Sequence, residues 1–174
     1  MKPFTPEITK LKPRNVLTLT TVGDPNKAAE DAIKALYMTA YTTKFMTFKP
    51  KKKVMVIGKL AARWPDAHLK PKSKWKGVWG LEVSDFVKQK DLIMKHPTLK
   101  PKLVKWPYGI VAQVLYVGPY TGEGPTIKKL HAFVAASGYR LAGPHEEEYL
   151  TKPGPKAKTI IRYVVVNAKT KAKK

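Results

Sequence analysis

Twice along this chain, strand-like alternation gives way to helical spacing and then to two further apolar segments, and that order restricts the fold more than any other feature. Val16-Leu17-Thr18-Leu19-Thr20-Thr21-Val22 alternates leucine with threonine and is rich in β-branched residues, the pattern of a half-buried strand. Gly23-Asp24-Pro25 predicts a turn and a helix start, with Asp24 as N-cap and Pro25 as the first helical residue. From there to about Phe45, the residues Ala29, Ile33, Leu36, Tyr37, Ala40 and Tyr41 recur at three- and four-residue spacing, which predicts a helix lying on a sheet. Val54 to Leu60 and Trp75 to Val83 read as strands, the second with Trp75 and Trp79 on one face. The stretch from Arg63 to Lys74, broken by Pro65 and Pro71, reads as a loop, and Asp85 to Met94 as a short helical segment.

The same order then returns. Tyr108 to Val117 is a strand, Gly118 to Gly124 a loop, and Pro125 opens a helix with Ile127, Leu130, His131 and Val134 on its buried stripe and Ser137-Gly138 at its end. Tyr139 to Leu150 contains a strand, Pro153-Gly154-Pro155 turns the chain, and Thr159 to Val166 is the last strand. The expectation is one α+β domain over 1–174, made of two βαββ halves at about 14–90 and 104–167. Each half alone would leave a sheet edge and a helix face poorly covered. The lead-in before Arg14 and the segment up to Pro107 read as basic, Pro-broken connections, and the basic tail 168–174 as disordered.

The charge is lopsided, with 34 basic residues against 12 acidic ones and a net charge of +22. Lysine dominates, the arginines being Arg14, Arg63, Arg140 and Arg162. Dispersed lysines suit a solvated surface or sequence-independent attraction to polyanions, nucleic acid among them, better than base readout by arginine forks. The absence of cysteine excludes disulfides, thiolate metal ligands and cysteine nucleophiles. Neither a signal-peptide core nor an apolar run of the ~18 residues needed to span a membrane is present, so the expectation is a soluble, cytoplasmic protein.

Against that background, His145-Glu146-Glu147-Glu148-Tyr149-Leu150 places three of the acids side by side. In a strand, His145, Glu147 and Tyr149 share one face and Glu146, Glu148 and Leu150 the other. Two readings follow: an acidic turn facing solvent, or a partly buried Glu147 that anchors a ligand or exchanges a proton. No phosphate-binding loop or nucleophile elbow is present, and no second carboxylate at ligand spacing joins the histidines, so neither metal nor cofactor is expected.

Ala112-Gln113-Val114-Leu115-Tyr116-Val117-Gly118-Pro119-Tyr120, Pro125 to His131, Ser137-Gly138-Tyr139, Glu147-Glu148-Tyr149-Leu150 and Lys158 to Tyr163 together resemble the GyrI-like small-molecule-binding family, in particular its stand-alone members. Fainter echoes at Gly23-Asp24-Pro25-Asn26, Ala35-Leu36-Tyr37, Ala40-Tyr41-Thr42, Lys44-Phe45-Met46 and Asp85-Phe86-Val87 extend the resemblance over most of the chain. It implies duplicated βαββ modules in a curved antiparallel sheet, two long helices on one side and a ligand cleft between the halves. It also implies binding of aromatic, lipophilic or weakly cationic compounds. Some stand-alone relatives hydrolyse strained cyclopropane rings of genotoxic compounds, and one namesake inhibits DNA gyrase. The family's signature glutamate falls on Glu147.

In a binder, Glu147 would be the anchor, with Tyr149, Tyr116, Trp64, Trp75 and Trp79 as candidate aromatic walls and Tyr120 over the cleft mouth. In an enzyme, Glu147 would activate water, and Tyr149 or Tyr116 would stabilise the leaving phenolate. The sequence departs from the hydrolase-like pattern at Ala61, in Leu60-Ala61-Ala62-Arg63-Trp64, where the resemblance leads one to expect an acid.

Overall fold

The computed structural model describes residues 1–65 and 69–170. It is a mixed α+β structure that divides into two compact units, Pro13–Pro107 and Met1–Lys12 with Tyr108–Lys174. The strand pairs within each unit are antiparallel.

The unit Pro13–Pro107 contains β2 (Arg14–Val22), α1 (Pro25–Thr43), β3 (Ile57–Trp64), β4 (Lys76–Val83) and β5 (Lys102–Trp106). Its strands lie in the order β5-β2-β4-β3, with Leu17 opposite both Leu81 and Leu103. The other unit contains β1 (Glu7–Leu11), β6 (Gly109–Val117), α2 (Gly124–Ala136), β7 (Tyr139–Leu141), β8 (His145–Tyr149) and β9 (Lys158–Asn167). Here the order is β1-β6-β9-β8, with β7 also on β9. The two units thus share one plan: a first strand flanked by an extra strand and by the last strand of the module.

Those extra strands, β1 and β5, fall in segments whose sequence reads as irregular. Each borrows its order from a neighbour, β1 pairing along β6 from Glu7↔Gln113 to Leu11↔Gly109 and β5 along β2 from Arg14↔Trp106 to Thr18↔Lys102. The expected helix at Asp85–Met94 is a single 3-10 turn, Gln89–Asp91, with Asp91 capping the Lys88 amide at 2.9 Å. Arg63 and Trp64, expected in a loop, end β3, while part of that loop, 66–68, and the tail residues 171–174 lie outside the described residues.

Helix α1 starts as its sequence predicts, with Asp24 accepting from the Asn26 amide at 3.0 Å. Its buried face joins the expected Ala29, Leu36 and Ala40 with the small residues Ala32, Ala35, Thr39 and Thr43, and packs on β2 and β4. Alanine and threonine let helix and sheet approach closely, which rotates Tyr37 and Tyr41 away from the core. Tyr41 is exposed, and Tyr37, Tyr41 and Phe45 stack in sequence along the helix at 6.3 and 6.2 Å.

In the second unit, α2 packs on β6 and β7 over Ala112, Val114, Tyr116, Leu130, Val134, Ile161, Tyr163 and Val165. His131, expected on the buried stripe, is exposed and rests edge-on against the Tyr163 ring at 4.9 Å. Gly138, with φ 77°, ends the helix in the left-handed conformation that glycine adopts without strain.

Strand β8 is held on β9 by more than its ladder. Glu146 lies opposite Arg162, whose Nη1 contacts Glu146 at 2.8 Å and Glu148 at 3.0 Å. Arg162 Nε donates to Gln113 at 2.9 Å, Tyr108 Oη donates to Glu146 at 2.9 Å, and Gln113 Nε2 donates to Glu7 at 2.8 Å. Arg162, Glu146 and Glu148 are all buried. Removing one member of such a cluster strands the opposite charge, so Arg162→Met should lower unfolding free energy by about 3–5 kcal/mol in urea titrations. An unchanged midpoint would mean the cluster does not secure β8.

Candidate functional site

Because Glu146 and Glu148 turn toward Arg162, the alternation of β8 sends His145, Glu147 and Tyr149 to its other face, as the sequence predicts. There Glu147 is tightly held. Its Oε1 meets His145 Nε2 at 2.9 Å and its Oε2 accepts from Tyr149 Oη at 2.8 Å. His145 Nδ1 in turn lies 2.7 Å from Tyr163 Oη, and the Tyr149 ring meets Tyr120 edge to face at 5.6 Å. Both His145 and Glu147 keep about one-seventh of their side-chain surface open, 15% and 14%.

A second carboxyl group joins them, which corrects the expectation that none would. Glu123 stands at the N-cap of α2, and one of its oxygens, a His145 ring nitrogen and a Glu147 oxygen all lie within 4.8 Å of one another. Glu123 is only 5% exposed, makes no capping hydrogen bond, and its Oε1 has no hydrogen-bond partner among the described residues. Burial first, and the charge of Glu147 second, push its pKa up to about 8. At neutral pH Glu123 therefore keeps its proton. The sequence signal was a lone acid in the glycine-rich loop just ahead of Pro125; spacing alone could not link it to β8.

Burial and the neighbouring acids also raise the tyrosines. Tyr149 is raised well above its ordinary value by burial, then by the charge and hydrogen bond of Glu147. Tyr163 and Tyr120 are raised by burial and then by Glu147 and Glu123. All three stay protonated at neutral pH.

The other sequence-predicted residues are distributed as follows. Tyr120 is partly exposed beside Tyr149. Tyr116 is buried, its hydroxyl donating to the Pro119 carbonyl at 2.8 Å and packing where a side chain on Gly118 or Gly122 would collide with it. It acts as a strut under the loop that carries Glu123. Trp64, Trp75 and Trp79 belong to the unit Pro13–Pro107, where Trp64 packs against Trp75 at 5.9 Å and Trp79 at 5.3 Å. Trp79 Nε1 donates to Thr21 and Trp75 Nε1 to the Lys70 carbonyl, while the buried Trp64 Nε1 has no partner among the described residues. Ala61 is buried on β3 opposite Gly80.

The GyrI-like small molecule binding domain matches residues 4–165. The chain belongs to this family. Among solved structures, this GyrI-like chain is similar to one described as a hydrolase from Listeria innocua, at 26% identity and TM-score 0.81, covering 95% of this chain and 94% of that one. A second, described as an uncharacterized conserved protein from Listeria innocua, is 28% identical with TM-score 0.82, covering 94% and 93%. The EcmrR C-terminal domain shares the fold at 14% identity and TM-score 0.60, covering 94% of this chain and 98% of that one. A search of curated proteins found no match. No helix among the described residues of this GyrI-like protein is long and apolar enough to cross a membrane.

The raised pKa of Glu123 has a signature in stability. The folded state keeps a proton that the unfolded chain releases from about its ordinary value of 4.5 upward, so unfolding free energy falls as pH rises toward about 8. Glu123→Gln mimics the protonated carboxyl. Subtracting its urea midpoints from those of the wild type across pH 5 to 9 should give a difference that declines with pH, whereas a flat difference would place the Glu123 carboxyl in an ordinary solvated setting.

Proposed function

We propose that this GyrI-like protein binds small aromatic compounds, neutral or weakly cationic, with Glu147 as their polar anchor. The observation that carries the reading is the state of Glu147: a partly open carboxylate fixed by His145 and Tyr149, beside the Tyr120 ring. A ligand amine or amidine gains a charge-assisted hydrogen bond there, and its aromatic body gains apolar contact. The +22 surface opposes a cation at long range, but screening over about 8 Å at physiological salt leaves the short-range attraction to decide.

Titration with ethidium, a planar cationic dye, tests this. Glu147→Gln should weaken binding about 10-fold or more, the loss typical of a hydrogen bond to a charged group. Equal affinities for the two proteins would remove Glu147 from the anchor role.

Hydrolysis is the second reading, favoured by Glu123. It supplies next to Glu147 a second carboxyl that the sequence lacks at Ala61, and a Listeria innocua structure with 26% identity is described as a hydrolase. Water would give its proton to Glu147 while its oxygen bonds to a strained cyclopropane carbon. The broken carbon–carbon pair would pass through the conjugated ligand to its carbonyl oxygen, which is then protonated to a phenol. Incubation with a cyclopropane-bearing DNA alkylator should yield the water adduct faster with wild type than with Glu147→Gln; recovery of unchanged alkylator from both would refute it.

A further inference from the structure

The geometry points to a divalent transition-metal site formed by Glu123, His145 and Glu147, with zinc(II) the ion it fits best. The donor set is one imidazole and two carboxylates, the mixed nitrogen and oxygen ligation that zinc accepts at about 2.0–2.2 Å, with room left for a further ligand. Two donors at that distance from one ion lie roughly 2.8–3.4 Å apart for bond angles between square and tetrahedral. His145 Nε2 and Glu147 Oε1 are already 2.9 Å apart, and a Glu123 oxygen lies within 4.8 Å of both donor groups. Completing the set requires the Glu123 oxygen to draw in from within 4.8 Å to about 3.4 Å or less of the other two donors.

The surroundings argue for a metal more strongly than the three ligands alone. A ligating histidine ordinarily hands its other ring N–H to an oxygen, and a ligating carboxylate is itself hydrogen-bonded, because these contacts fix tautomer and direction. Tyr163 Oη stands 2.7 Å from His145 Nδ1, and Tyr149 Oη donates to Glu147 Oε2 at 2.8 Å. With those atoms engaged, the donors left for an ion are His145 Nε2 and Glu147 Oε1, which hydrogen-bond each other and would exchange that contact for the ion. The independent sign is Glu123: it is 5% exposed, and its Oε1 lacks any hydrogen-bond partner among the described residues. Buried polar groups are otherwise almost always satisfied, and a divalent cation would satisfy this one and both charges together.

The site shares Glu147 with the ligand-binding reading but does not need an organic ligand, so the two can fail separately. Full-length protein freed of metal by chelator is titrated calorimetrically with zinc(II) alone, and with cobalt(II) for its visible absorption. The expected result is one equivalent bound, with cobalt bands of a low-coordinate nitrogen and oxygen site. Glu123→Gln and His145→Ala should abolish both signals, and Tyr163→Phe, which keeps all three ligands and the ring, should weaken binding about 10–100-fold. His131→Ala, outside the set, should leave binding unchanged. Absence of zinc binding in wild type, or zinc binding that survives Glu123→Gln and disappears with His131→Ala, overturns the proposal. Ethidium binding to metal-free protein reports on the organic-ligand reading independently.

Discussion

Arg162 is the residue on which the site depends. Three consecutive glutamates weaken the sequence preference of β8 for one register over the next, since a slip of one position still leaves a glutamate in two of the three places. A slip would nonetheless invert the strand, sending Glu147 toward the interior and Glu146 and Glu148 to the outer face. Arg162, opposite Glu146 and bonded to both flanking acids, makes the two registers unequal. Only one of them pairs two carboxylates with one guanidinium. Buried ion clusters add little net stability against an apolar alternative, and their better-attested use is to choose one arrangement among several.

A second constraint positions the partner acid. Glu123 is held by the loop between β6 and α2, where the Tyr116 hydroxyl is tied to the Pro119 carbonyl and occupies space that only glycine at 118 and 122 leaves free. Gly118 also has φ 153°, at the edge of the range that side chains avoid. The loop is therefore shaped by packing from beneath, and the first turn of α2 carries the Glu123 carboxyl toward β8. The Gly118 to Gly124 stretch, which sequence alone reads as a turn, is a turn with a purpose at its last residue but one.

What was legible in the sequence was whatever is encoded locally. The Leu17/Leu19 alternation, the Asp24-Pro25 helix start and the division of β8 into two faces all rest on backbone periodicity or capping, and each stands in the structure as read. What was not legible depends on partners distant in the chain. β1 and β5 are short and carry lysines, and only pairing with β6 and β2 makes them strands. On α1 the expected Ala29, Leu36 and Ala40 are buried, but the aromatic Tyr41 on the same stripe is exposed, and close packing on the sheet brings in Ala32, Ala35 and Thr39 instead. Glu123 and Tyr163 joined the site through space, from a helix cap and a strand that no spacing rule connects to Glu147. Arg162 is one of four arginines, and its role depends on β9 lying beside β8.

The choice of partners around Glu147 bears on how an acidic site persists in so basic a chain. A lysine beside Glu147 would have neutralised it and taken the place of a ligand. Instead its hydrogen bonds come from the Tyr149 hydroxyl and the His145 ring, which orient its two oxygens. Glu123 beside it holds its proton up to about pH 8, first because it is buried and second because of the charge of Glu147. A site built this way is primed electrostatically: whatever positive group arrives, organic or metallic, finds one charge ready and a second released with the proton. The lysine surplus then shapes the approach rather than the destination, since its field is screened within about a nanometre in physiological salt, whereas the carboxyl pair acts at contact.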